Sequence, residues 1–98
     1  LYQIPYRDIV YMESRRRVIH LFGKNGEEYR FYKKMKDLLE EISHTGNMFI
    51  RVHCSYVVNY YYIKSLSSTE AELLTGEKLP VSGEYKNEAL KKFMGMME

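Results

Sequence analysis

The dipeptide Asn25-Gly26, set between Arg17–Phe22 and Glu27–Tyr32, fixes a β-hairpin early in the chain. Asn-Gly accepts the positive φ angles of a tight reversal, and between apolar-rich runs it is the strongest short-range hairpin signal. In the second arm Tyr29 and Phe31 share one face, and Glu28, Arg30 and Tyr32 the other, because side chains alternate along a strand. A fold built outward from this hairpin is antiparallel. Ten Tyr and four Phe, with no Trp, suit pleated, half-buried strand surfaces.

The other elements follow from local pattern. Leu1-Tyr2-Gln3-Ile4-Pro5-Tyr6 reads as part of a strand, since residues before proline favour extended backbone. The chain starts abruptly there, as a segment cut from a longer protein would. Asp8–Glu13 is a short apolar strand. Met35, Leu38, Leu39 and Ile42 fall on one face of a helix, which His44-Thr45-Gly46-Asn47 closes with Gly46 as a left-handed cap. Phe49–Val58 returns to strand character. Ile63–Leu66 and Ala71–Leu74 bracket a polar turn, and Thr75–Lys78 leads into Leu79-Pro80-Val81. Ser82 is placed to cap a final helix running from Gly83 or Glu84 to about Met94, with Glu84 in its first turn. Tyr85, Ala89 and Phe93 form one stripe of that helix, and Leu90, Met94 and Met97 an adjacent one. The expected fold is mainly β, with one short inserted helix and a C-terminal helix, and it lacks the strand–helix alternation of a parallel sheet.

Composition narrows the function classes. Ninety-eight residues make one domain of residues 1–98, and 45% hydrophobic with 29% charged residues is a globular balance. No apolar run approaches the ~20 residues of a membrane span, and no signal peptide opens the sequence. The single cysteine forms no intrachain disulfide, so the expected compartment is the reduced cytoplasm. A net charge of +2 does not by itself indicate a nucleic-acid partner.

Catalytic chemistry finds little support. His20, His44 and His53 do not fall at metal-ligand spacing, so no metal and no cofactor is expected. Cys54 adjoins His53, but neighbouring strand residues point to opposite faces, which prevents them from acting as a nucleophile–base pair. Cys54 then reads as a small, semi-buried apolar residue. Gly23 and Gly26 belong to a hairpin and not to a phosphate loop before a helix. Glu27-Glu28 and Glu40-Glu41 read as solvated faces. The chain is not expected to be an enzyme.

The basic residues say more. Arg15-Arg16-Arg17 forms a dense positive tip between two strands. Guanidinium groups read guanine through paired hydrogen bonds and grip phosphate equally well, although the same run also suits a solvated turn. Lys33, Lys34 and Lys36 read as solubilising charges with some pairing to Glu40, and Lys91 and Lys92 as solvated. Lys86 is close enough to a helix start to approach a nucleic-acid backbone. In Phe49–Asn59, Ile50, Val52, Tyr56 and Val58 lie on one side and Arg51, His53 and Ser55 on the other, a register that tracks a phosphate line. Asn59 reads as a turn residue bonding its own backbone before Tyr60-Tyr61-Tyr62.

These segments resemble a known family. Phe49-Ile50-Arg51-Val52-His53-Cys54-Ser55-Tyr56-Val57-Val58-Asn59 is similar to the F-x-R-x-H-x-S-y-v-V-N signature of the LytTR DNA-binding domain. Ile63 falls at that family's position after the Asn, and Leu79-Pro80-Val81-Ser82 matches its "lpvS" before the last helix. Ile4-Pro5 and Asp8–Glu13 match its opening, and Phe31-Tyr32, Met35 and Leu38-Leu39 fall where it has a short helix. The resemblance covers nearly the whole chain, in order.

The resemblance implies an elongated stack of small antiparallel sheets that reads double-stranded DNA with loops entering successive major grooves. It implies an output domain of a bacterial response regulator, with a receiver domain upstream, two copies on adjacent DNA repeats, and no membrane partner. Carried over by position, the reading loops fall at Arg15-Arg16-Arg17, at His53-Cys54-Ser55, and at Ser82-Gly83-Glu84. Many members have a basic residue or Asn in place of Cys54, and Arg in place of Gly83, so the burden shifts to the arginines. The expectation is sequence-specific DNA binding, with Arg16 and Arg17 on base edges, Arg15 as a third candidate, and Arg51, Ser55 and Lys86 on phosphate. The alternative is a protein-interaction module of the same fold, using Tyr60-Tyr61-Tyr62 or Met94, Met96 and Met97.

Overall fold

The computed structural model describes residues 3–97. β1 (Ile9–Arg15) and β2 (Val18–Gly23) form a hairpin, and β3 (Glu28–Tyr32) returns along β2 through the Asn25-Gly26 loop, where Gly26 takes φ +85°. β4 (Phe49–His53) and β5 (Tyr56–Asn59) form another hairpin, attached through β5 to β1. The larger sheet therefore runs β3-β2-β1-β5-β4, all antiparallel. Among the described residues β3 is one edge of this sheet. At the other edge the Ser82 N–H donates to the Val52 carbonyl at 2.9 Å. A smaller antiparallel sheet holds β6 (Ile63–Leu66), β7 (Glu70–Leu73) and β8 (Lys78–Pro80). The helices are α1 (Met35–Glu41) and α2 (Lys86–Met96). The molecule measures 36 × 25 × 25 Å.

The larger sheet separates two apolar clusters. On one face Ile9, Met12, Ile19, Leu21, Phe49 and Val57 pack with Met35, Leu38 and Ile42 from α1 and its end. On the other, Val10, Tyr11, Ile50, Val52 and Val58 pack with Ile63, Ala71, Leu73, Leu79 and Val81, and with Ala89 of α2. Adjacent residues such as Val57 and Val58 serve opposite clusters because a strand alternates faces. This explains the unbroken apolar run Ile9-Val10-Tyr11-Met12: β1 is central and covered on both sides. Val10 is the extra residue of a bulge between Ile9 and Tyr11, which brings Val10 and Tyr11 to one side. Each fully covered Val or Ile contributes about 1.5–3 kcal/mol from removal of apolar surface from water.

Several expectations are corrected. Leu1 and Tyr2 lie outside the described residues. Gln3–Pro5 has no regular structure, and Tyr6–Asp8 is a 3₁₀ turn, closed by the Asp8 N–H on the Pro5 carbonyl at 2.9 Å. Proline's fixed φ, here −60°, starts that turn directly. Phe49–Val58 is two strands, reversing at Cys54-Ser55. After α1 a second 3₁₀ turn, Ser43–Thr45, intervenes before Gly46 at φ +69°. α2 starts at Lys86, later than expected, and Glu84 lies before it. The Ser82 carbonyl accepts from the N–H groups of Tyr85 and Lys86, but its side chain caps nothing, and its covered Oγ has no partner. Ala89 and Phe93 of α2 face the protein and Tyr85 precedes the helix, whereas Met94 and, just after the helix, Met97 remain exposed.

Candidate nucleic-acid interface

The first connector is a two-residue turn, Arg16-Arg17, closing the pair Arg15↔Val18. Both residues have positive φ, +50° and +68°. This is the geometry that matches the right-handed twist of a hairpin, and it normally selects Asn or Gly. For a side chain with a Cβ each such residue costs roughly 1–2 kcal/mol. Both arginines are exposed, and neither side chain has a hydrogen-bond or ion-pair partner among the described residues. Arg15 differs. Its Nη2 donates to Glu13 Oε1 at 2.7 Å, and the hydroxyl of Tyr56 donates to Glu13 Oε2 at 3.2 Å. The Arg15 hydrogen bond holds the Glu13 carboxyl below the usual carboxylate range, so it stays ionised, while burial, and then Glu13, raise the Tyr56 phenol.

The second connector is Cys54-Ser55, between the paired residues His53 and Tyr56. No glycine or asparagine makes this turn, and side chains hold it instead. Arg51 Nε donates to the His53 carbonyl at 3.3 Å and Nη2 to the Cys54 carbonyl at 2.9 Å, while the guanidinium lies 4.5 Å over the Tyr85 ring. His53 Nδ1 accepts the Ser55 N–H at 3.0 Å, which leaves Nε2 to carry the ring proton. A bulge at Val52 accommodates the reversal. Cys54 is exposed and not semi-buried, and its Sγ lies 3.5 Å from His53 Nδ1. The assignment of these neighbours to opposite faces fails because the chain turns there.

The third connector, Ser82-Gly83-Glu84, rests on β4 through the Ser82 amide. Gly83 and Glu84 are exposed, and Lys86 is half-buried at the start of α2.

Strand registry brings these connectors to one end of the sheet. Glu13 pairs with Tyr56, and the Ser14 N–H donates to the Ser55 carbonyl at 2.9 Å, so the arginine turn and the Cys54-Ser55 turn are neighbours. They are separated by about two strand spacings, roughly 10 Å. Ser82 continues the row beyond β4. Such a row is commensurate with a major groove about 12 Å wide.

The LytTr DNA-binding domain family matches residues 1–94. The chain belongs to this family. The fold agrees with that of the LytTr DNA-binding domain of a response regulator from Bacillus cereus, at a TM-score of 0.75 and 23% identity, over 94% of this chain and 85% of that one. A comparison with curated proteins finds no match. The family is a DNA-binding one, and among the described residues of this LytTr domain no helix is long and apolar enough to cross a membrane.

Two further residues join the row. Tyr32, 85% exposed, pairs with Val18 directly beside the arginine turn, and the Lys33 N–H donates to the Arg17 carbonyl at 3.0 Å. Lys33 itself pairs with Glu41, not Glu40, and the exposed Lys34 has no ion-pair partner among the described residues. Counting outward from a two-residue Asn25-Gly26 turn would place Tyr32 opposite Ile19; the loop has three residues, Lys24-Asn25-Gly26, closed by the Gly23 N–H on the Glu27 carbonyl, and this sets Tyr32 opposite Val18.

Proposed function

We propose that this domain binds a specific double-stranded DNA sequence as the output domain of a bacterial transcriptional response regulator in the cytoplasm, with a receiver domain upstream of Leu1 and a second copy on an adjacent DNA repeat. The observation that carries this reading is the row of connectors at one sheet end, headed by two unpartnered arginines in a strained turn. Arg16 and Arg17 read base edges in a major groove. Arg51, Ser55 and Lys86 contact phosphate, the first with the guanidinium donors left free by the turn, and Arg15, His53, Cys54, Ser82 and Gly83 line the same surface. The role is non-enzymatic.

Selection of bound duplexes from a random pool tests the reading. A defined site should emerge, and Arg16→Ala should relax the preference by about 1–3 kcal/mol per lost bidentate contact. Arg51→Ala should weaken all duplexes alike. Retention should fall steeply as salt displaces phosphate contacts. One observation favours a second reading, a protein-interaction module: Met94 and Met97 are 64% and 65% exposed at the end of α2. Absence of duplex retention at any salt would favour it.

A further inference from the structure

We infer that Glu13 determines specificity by sequestering the Arg15 guanidinium, keeping one of the three tip arginines away from phosphate. The inference rests on the DNA-binding reading above. Arg15 and Glu13 lie two residues apart on one face of β1, so their side chains meet without distortion. The carboxylate is largely covered, at 13% exposure, whereas Arg15 is 54% exposed. One oxygen takes Arg15 and the other takes Tyr56, so neither partner displaces the other. Arg16 and Arg17 have no such acceptor among the described residues. The tip therefore carries a division of labour: two free guanidinium groups at the turn, and a third neutralised one strand residue before it.

The consequence concerns affinity and discrimination separately. A guanidinium that grips phosphate strengthens every duplex equally and carries no sequence information. Its release should raise non-specific affinity and add roughly 0.9 to the magnitude of the salt slope, the value for one further phosphate contact. The ratio of specific to non-specific affinity should fall. Loss of structure would instead weaken both kinds of binding together. Tyr56 ties the same carboxylate to the start of β5, so it reports on loosening of the turns without freeing Arg15.

The experiment compares the parent domain with Glu13→Gln, Tyr56→Phe and the double variant Glu13→Gln/Arg15→Ala, on the selected duplex and on a random duplex, across a salt series. The expected result is a random-duplex affinity raised about 3–10-fold in Glu13→Gln with a steeper slope, and a smaller specific-to-random ratio. Tyr56→Phe should keep the parent's slope, and the double variant should return to it. Unfolding curves and the exchange-protected Arg15 guanidinium signal in the free parent, absent from Glu13→Gln, separate sequestration from misfolding. A Glu13→Gln slope equal to the parent's, or a double variant that stays steep, overturns the inference and leaves the DNA reading standing. A parent that retains no duplex overturns both.

Discussion

The side-chain amide of Asn59 donates a 2.8 Å hydrogen bond to the carbonyl of Ile9, fifty residues away in sequence. Asn59 Oδ1 accepts the Tyr61 N–H at 3.0 Å, and the residue is fully covered. One side chain thus starts the 3₁₀ turn at Tyr60 and fixes the entry of the central strand β1. Asn59→Ala leaves a covered carbonyl and a backbone N–H without partners. The expected loss is about 2–3 kcal/mol, measured as a lower denaturant midpoint with an unchanged m-value.

The arginine turn trades stability for display. Replacing Arg16-Arg17 by Asn-Gly removes the strain of two positive φ angles at side chains that disfavour them. The expected gain is about 1 kcal/mol after the greater freedom of Gly in the unfolded chain is counted, or roughly 4–8 °C in Tm for a domain of this size. The same variant should lose preference for a selected duplex. A Tm equal to or below the parent's would show that the turn is not strained.

Arg51 separates holding from contacting. It spans the carbonyls of His53 and Cys54 and lies over Tyr85, which a lysine cannot reproduce because it lacks a planar fork of donors. Arg51→Lys should therefore lower stability by about 1–2 kcal/mol while keeping the charge. Thermal unfolding checks this, and a surface arginine without structural work would change it by less than about 0.5 kcal/mol.

Alkaline pH should unfold the domain in a window set by Tyr11. Burial, followed by Glu77 and Glu13, pushes its phenol up from 10.0 to about 12. The unfolded chain then loses this proton from about pH 10 and the native state only near pH 12, so stability present below pH 10 is lost as pH rises across that interval. Tyr11→Phe preserves the stacking on Phe22, with ring centroids 4.4 Å apart, and should flatten the decline. A matching decline in the variant would assign it to another group; burial moves Tyr56 in the same direction.

Much of the architecture was legible in the sequence, and the exceptions have a common cause. Asn25-Gly26 placed β2 and β3 correctly, and the apolar spacing from Met35 placed α1. In Phe49–Asn59 the apolar face was also correct: Ile50, Val52, Tyr56 and Val58 share a cluster. The reversal was hidden because the bulge at Val52 cancels the parity change that a two-residue turn makes, so the alternation runs on through it, and because Arg51 and His53 hold this turn where a glycine would otherwise signal it. The same holds for Arg16-Arg17, whose positive φ values contradict the residues' own preference. The pairing of Arg15 with Glu13 was missed because β1 runs on to Arg15 and not only to Glu13, and the junction with Tyr56 needed the β1–β5 register, which no local pattern encodes.

Strand β3 is an outer edge of the larger sheet among the described residues, and its exposed Glu28 and Arg30 are joined by an ion pair. An open edge of this kind invites another chain to zip onto it, and charged side chains there discourage such pairing. Copies of this chain that meet in solution are thereby discouraged from fusing edge to edge into a continuous ribbon.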